Sequence, residues 1–100
     1  MNDTKKVLSL LGLAQRSGKI ASGEFMVEKA VKEGRAALVI IACDASANTK
    51  KKFQNMCTFY HVPVRELSQK EELGHSIGRS ERSSLALTDE GFSKAVLESV

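Results

Sequence analysis

The sequence predicts an α/β protein folded as a three-layer α/β/α sandwich, and three observations carry that expectation. Helix-like and strand-like segments alternate along the 100 residues in the order α-β-α-β-α-β-α-β-α, a pattern that packs as a sheet covered by helices. Ala37-Leu38-Val39-Ile40-Ile41-Ala42-Cys43 is apolar throughout and rich in β-branched residues, as expected of a central strand buried on both faces. Gly18, Gly23, Gly34, Pro63, Gly74, Gly78 and Gly91 punctuate the segments, without repeats, low-complexity tracts or linkers between them.

Thr4 is placed to cap a first helix, with Val7, Leu8, Leu11 and Ala14 at helical spacing and Gly18 just past its end. Lys19-Ile20-Ala21 reads as a very short strand. Gly23 opens a second helix with an inward stripe of Val27, Ala30 and Val31, and Gly34 closes it. After the apolar strand, Asp44 turns the chain into a third helix whose Phe53, Met56, Cys57 and Tyr60 fall at i, i+3, i+4 and i+7. His61 to Arg65 reads as a strand in which Pro63 limits pairing. Ser68 and Glu71 are spaced as a capping box for a brief helix ending near Gly74. Leu85-Ala86-Leu87-Thr88 is the last strand, and Thr88 or Asp89 caps a final helix with Phe92, Ala95, Val96 and Ser99 on one face.

A chain of 100 residues has the size of one domain. The hydrophobic fraction of 42% supports a modest core, filled by Leu, Val, Ile and Ala because only five residues are aromatic. The apolar run at 36–43 is far too short to span a bilayer. The polar start Met1-Asn2-Asp3-Thr4-Lys5-Lys6 lacks the pattern of a secretory signal. The expectation is a soluble, cytoplasmic protein. Cys43 and Cys57 follow no metal-ligand spacing and read as buried, reduced thiols acting as small hydrophobes.

Charge is divided unevenly. Residues 1–65 carry eleven Lys/Arg against five Asp/Glu, a net of +6, whereas residues 66–100 carry four against seven, a net of −3. Such asymmetry suits one half facing a polyanion.

Signals for catalysis are weak. His61 and His75 lie in different segments without a carboxylate at relay spacing. No zinc-ligand spacing, phosphate loop of the Gly-x-x-x-x-Gly-Lys-Ser/Thr type or Gly-x-Ser-x-Gly elbow occurs. The chain is read as a non-enzyme that needs no cofactor or metal.

Two segments have the chemistry of polyanion binding. In Gly18-Lys19-Ile20-Ala21-Ser22-Gly23-Glu24-Phe25-Met26-Val27-Glu28-Lys29-Ala30, a glycine at a helix start leaves backbone N–H groups bare at the positive end of the helix dipole, which suits phosphate. Lys29 follows, Lys19 precedes, and Phe25 on the first turn can stack on a base if it points outward. The competing reading places Phe25 in the core and the lysines in plain solvent. Gly78-Arg79-Ser80-Glu81-Arg82-Ser83-Ser84 is a polar loop whose two guanidiniums can grip phosphate or stack on bases, or an ordinary surface loop. Lys50-Lys51-Lys52 fans out around its helix and reads as a solvated face.

Several motifs occur together in one order: Gly18-Lys19-Ile20; Gly23 with Lys29-Ala30; Leu38 to Ala42 followed by Asp44-Ala45; Val62-Pro63; and Ser68-x-x-Glu71-x-Leu73-Gly74-x-x-x-Gly78. In this the chain resembles the kink-turn-binding ribosomal protein family over about residues 4–99. Leu11 to Lys19 and Ser22-Gly23-Glu24 are most similar to its small bacterial, YlxQ-type branch. The resemblance implies a four-stranded mixed sheet between helices and a non-catalytic RNA-binding role; the expected partner is structured RNA, ribosomal RNA among the candidates, and the expected state a monomer. It implies an RNA surface at the start of the second helix and the loop before the last strand. The RNA-binding residues expected here are Lys19, Gly23, Glu24, Phe25, Met26, Lys29, Arg79, Ser80, Glu81 and Arg82.

The chain also departs from the family pattern. Kink-turn binders of the family place Asn-Glu where this sequence has Phe25-Met26, and Phe and Met cannot hydrogen-bond guanine edges. A carboxylate expected two residues after Asp44 is Ser46. Losing such readout weakens discrimination by roughly 1–3 kcal/mol per bidentate contact, so the expected mode is recognition of shape and phosphate with apolar stacking. The main alternative is a protein-interaction module that uses Phe25 and Met26 as an apolar anchor. An enzyme acting through Cys43 or a histidine is the remaining one.

Overall fold

A computed structural model describes residues 3–100. Nine elements follow in the expected order: α1 (Thr4–Arg16), β1 (Ile20–Ser22), α2 (Glu24–Lys32), β2 (Leu38–Ile41), α3 (Ala47–Tyr60), β3 (Val64–Glu66), α4 (Lys70–Ser76), β4 (Ser84–Leu87) and α5 (Glu90–Glu98). The strands form one sheet in the order β1-β4-β2-β3. β4 runs antiparallel to both β1 and β2, and β2 runs parallel to β3, so the sheet is mixed. α2 packs with α3 over one face, while α1 packs with α4 and α5 over the other. All four residues of β2 and all four of β4 are buried, which is what two covering helix layers require of central strands.

Helix boundaries differ from the sequence reading where a neighbouring residue caps better. Asp3, not Thr4, caps α1: its Oδ1 accepts from Lys6 N–H at 3.1 Å, and Thr4 becomes the first helical residue. Asp3 N–H also donates to the Ser99 carbonyl, tying the start of α1 to the end of α5. Asp44 lies in the turn after β2, as expected, and Ser46 caps α3, accepting from Thr49 N–H. The capping box of α4 lies one residue later than expected, on Gln69 and Glu72. Ser68 takes φ 61° and donates its hydroxyl to Glu72 instead. α4 continues through Gly74 to Ser76. Asp89, rather than Thr88, caps α5.

The expected strand at 61–65 is displaced to Val64–Glu66. His61 adopts the left-handed conformation that closes α3, with Val62 N–H donating to Cys57 and His61 N–H to Thr58, the closure that glycine usually provides. Pro63 lies outside the strand, yet its carbonyl accepts from Val39 N–H.

The core comes from both layers and includes Val7, Leu11, Val27, Val31, Phe53, Leu73 and Val96. On α3 only Phe53 and Cys57 of the expected stripe are buried. Met56 is half-buried and Tyr60, on the last turn, is 39% exposed. On α5 the inward face holds Ser93, whose hydroxyl donates to the Ala37 carbonyl, while Ala95 is half-buried. The two cysteines differ, contrary to the sequence reading. Cys43, two residues past the end of β2, is exposed, whereas burial pushes the Cys57 thiol up to about 11. Among the described residues, no helix is long and apolar enough to cross a membrane, and no group of His, Cys, Asp and Glu is placed to hold a metal ion.

Candidate nucleic-acid interface

The two segments with polyanion chemistry are far apart in sequence, the contact between Ser22 and Arg82 spanning 60 positions, and meet at one end of the sheet. The antiparallel register sets Ser22 opposite Leu85, so the end of β1 and the start of β4 coincide. Gly23 N–H then donates to the Ser84 carbonyl at 3.2 Å. Arg82 Nε points to Ser22 Oγ at 3.5 Å. The C-terminal end of β2 completes the same edge, with Ala42 N–H donating to the Ser83 carbonyl and Cys43 N–H to the Ser68 carbonyl.

Gly23 begins α2 with φ 90° and ψ 155° and gives no side-chain cap. The first-turn N–H groups of such a helix lack intrahelical partners and are open to an anion. Phe25 is 72% exposed and Met26 43% exposed, which removes the reading of Phe25 as core. Lys29, one turn beyond Phe25, is also exposed, and the i, i+3 and i, i+4 spacings put these three side chains on one face. Glu24 does not stand free: Lys52 Nζ of α3 reaches its carboxylate at 3.0 Å and that of Glu28 at 3.3 Å. Lys50 pairs with Glu66 at 3.2 Å. The lysine run is therefore not a uniformly solvated face.

The loop between α4 and β4 is seated rather than loose. Gly78, at φ 71°, turns the chain off α4, and the N–H groups of Gly78 and Arg79 close the helix on the carbonyls of His75 and Gly74. Gly74 is buried against this loop. A Cβ there would collide with the Ser80 carbonyl. Arg82 N–H donates to the Lys70 carbonyl at 3.1 Å, and Lys70 N–H in turn donates to Asp44 Oδ1 at 2.8 Å. The Arg82 guanidinium folds back on its own loop, donating to the Ser80 hydroxyl and to the carbonyls of Ser80 and Glu81 at 3.0–3.2 Å. Arg79, Ser80 and Glu81 are exposed.

Of the ten residues singled out from sequence, these contacts bring Gly23 and Arg82 to this edge; Glu24 to Lys29 run on from Gly23 along α2, and Arg79 to Glu81 precede Arg82 in the loop. Lys19 lies apart. It immediately precedes β1, where its carbonyl accepts from Thr88 N–H, and it stands three positions before Ser22, about 10 Å of extended backbone. Ser22, Asp44 and Lys52 were not singled out. Ser22 adjoins Gly23, a local clue. Asp44 and Lys52 act on residues 26 and 28 positions away in sequence, and no local pattern marks such partners. Ser84 Oγ is buried at the same edge with no hydrogen-bond partner among the described residues.

The model of the ribosomal protein L7Ae/L30e/S12e/Gadd45 family matches residues 5–97. The RNA-binding protein YlxQ of Bacillus subtilis is 43% identical over 88 residues, covering 88% of each chain. The large ribosomal subunit protein eL8 of Thermoplasma volcanium is 30% identical over 98 residues, covering 97% of this chain and 81% of that one. Among solved structures, a protein of unknown function from Bacillus halodurans superposes with a TM-score of 0.90 at 42% identity, covering 93% and 94% of the two chains. A Giardia lamblia 15.5kD RNA-binding protein superposes with a TM-score of 0.84 at 24% identity, covering 98% and 86%, which speaks to the fold.

Proposed function

The chain belongs to the ribosomal protein L7Ae/L30e/S12e/Gadd45 family, and on that premise we propose that it binds structured RNA without catalysing a reaction. The RNA is a kink-turn or a related fold, ribosomal RNA included, and the protein acts as a monomer in the cytoplasm beside the translation machinery. The binding surface is the first turn of α2, Gly23 to Lys29, together with the loop Arg79 to Arg82. Lys19, at the far end of β1, reaches the RNA only at its margin.

The observation that most supports this reading is the join between the two segments: Gly23 N–H on the Ser84 carbonyl and Arg82 on Ser22. It makes one surface from a bare helix start, an exposed aromatic ring and a basic loop. Phosphate is met by backbone N–H groups, Lys29 and Arg79, while Phe25 supplies a face for stacking. Because Phe25 and Met26 offer no side-chain hydrogen bonds, base-edge readout is reduced and shape dominates.

The test is titration into a kink-turn RNA and into a control lacking its G·A pairs, at two salt concentrations. Salt-sensitive binding to both supports recognition of shape and phosphate. Selective binding to the kink-turn assigns the discrimination to Phe25 and Met26. If Lys29→Ala and Arg82→Ala both bind like wild type, the surface is misassigned. The exposure of Phe25 and Met26 also favours a second reading, a protein partner anchored on that apolar pair. A stoichiometric partner that survives nuclease, with no RNA binding, replaces the first reading with the second.

A further inference from the structure

Helix α2 carries three stripes. Val27, Ala30 and Val31 face the core; Phe25, Met26 and Lys29 face solvent; and Glu24 and Glu28 lie on the flank toward α3, one turn apart. The third stripe opposes the function proposed for the second. Glu24 directly follows Gly23, and Glu28 directly precedes Lys29. Two uncompensated carboxylates there would offset the attraction of Lys29 and of the helix start for a polyanion.

Lys52 lessens that opposition. Its Nζ lies 3.0 Å from Glu24 Oε1 and 3.3 Å from Glu28 Oε1, while Lys32 adds a longer contact of 3.7 Å to Glu28. We infer that Lys52 is a positioning residue of the RNA surface, one that holds Glu24 and Glu28 against α3 and, together with Lys32, offsets their charge so that Phe25, Met26 and Lys29 meet RNA with less competition from carboxylates. These contacts turn its ammonium toward the two carboxylates, so its effect on RNA is exerted through them. The bond to Glu24 is also the foremost influence raising the lysine's pKa, consistent with a charge kept in place. This inference rests on the RNA-binding reading above.

A double-mutant cycle separates the two. Wild type, Lys52→Ala, Glu24→Gln/Glu28→Gln and the triple variant are titrated with the same kink-turn RNA at low salt. Thermal midpoints within about 2 °C of one another confirm that exposed pairs were changed without loss of the fold. Lys52→Ala weakens binding by about fivefold when both glutamates are present, the size of one unit charge exposed near a phosphate site. In the glutamine background the same change costs less than about 1.5-fold. An equal loss in both backgrounds overturns the inference, because Lys52 then contacts RNA directly. No loss in either, with wild type binding, overturns it as well and leaves the RNA reading standing. If wild type binds neither kink-turn nor control RNA, the reading and the inference fall together.

Discussion

At the first turn of α2, Gly23 holds the backbone to β4 and the side chains of Phe25 and Met26 extend into solvent. At the neighbouring loop ahead of β4, backbone and side chains are bound inward: the helix closure at Gly78, the bond from Arg82 N–H to Lys70, and a guanidinium folded over Ser80 and Glu81. One segment displays and the other frames. The difference shows which groups are ready to meet a ligand. Phe25 and Lys29 need no rearrangement, and Arg79 is exposed, but Arg82 would give up contacts within its own loop before gripping phosphate. Each segment depends on a glycine for a different reason: Gly74 leaves space for the Ser80 carbonyl, and Gly23 supplies a backbone conformation.

The comparison breaks most visibly at Gly74. Gly74→Ala forces the loop off α4 and is expected to cost about 3 kcal/mol of stability, read as a fall in urea midpoint together with loss of RNA affinity. A variant that keeps both would show that the loop is not seated on α4. Gly23→Ala tests the other segment. No atom lies within 4 Å of the added Cβ, yet φ 90° with ψ 155° is a region that glycine alone occupies comfortably, so a loss of about 2 kcal/mol in the same assay is expected. An unchanged midpoint would mean that the helix start re-forms without strain. Phe25→Ala sharpens the contrast between display and frame. With the ring largely in solvent, stability should stay within about 0.5 kcal/mol of wild type, while RNA affinity falls about tenfold through loss of one stacking surface. Destabilisation without an affinity change would assign Phe25 to packing.

Much of this architecture follows from local chemistry. The apolar run at 37–43 has the composition of a doubly covered strand, and the stripe Val27, Ala30, Val31 has the period of a half-buried helix; the stripe matches the fold, and the strand does so over its central residues Leu38–Ile41. Errors cluster where two residues compete for one backbone role. Asp3 and Thr4 can both cap α1, Ser68 and Gln69 can both begin α4, and His61 can extend a strand or close a helix. Local propensity does not separate such pairs by more than a fraction of the available free energy, so tertiary contacts decide. The bond from Asp3 N–H to Ser99 and the one from Lys70 N–H to Asp44 bear directly on two of these choices.

For the candidate interface, residue types along the chain were enough to single out a bare helix start at Gly23 and a basic loop at 78–84. Their adjacency was settled only by the sheet, because the pairing of Ser22 with Leu85 is a contact between segments far apart in sequence. The same holds for side-chain direction. Whether Phe25 is core or surface depends on which face of α2 meets the sheet, and whether Lys52 is solvated or paired depends on how α3 lies beside α2. Composition and spacing determine what each segment is able to do. Packing determines which segments share a surface and which charges remain unspent, because burial and ion pairing are properties of neighbours in space and not of neighbours in sequence.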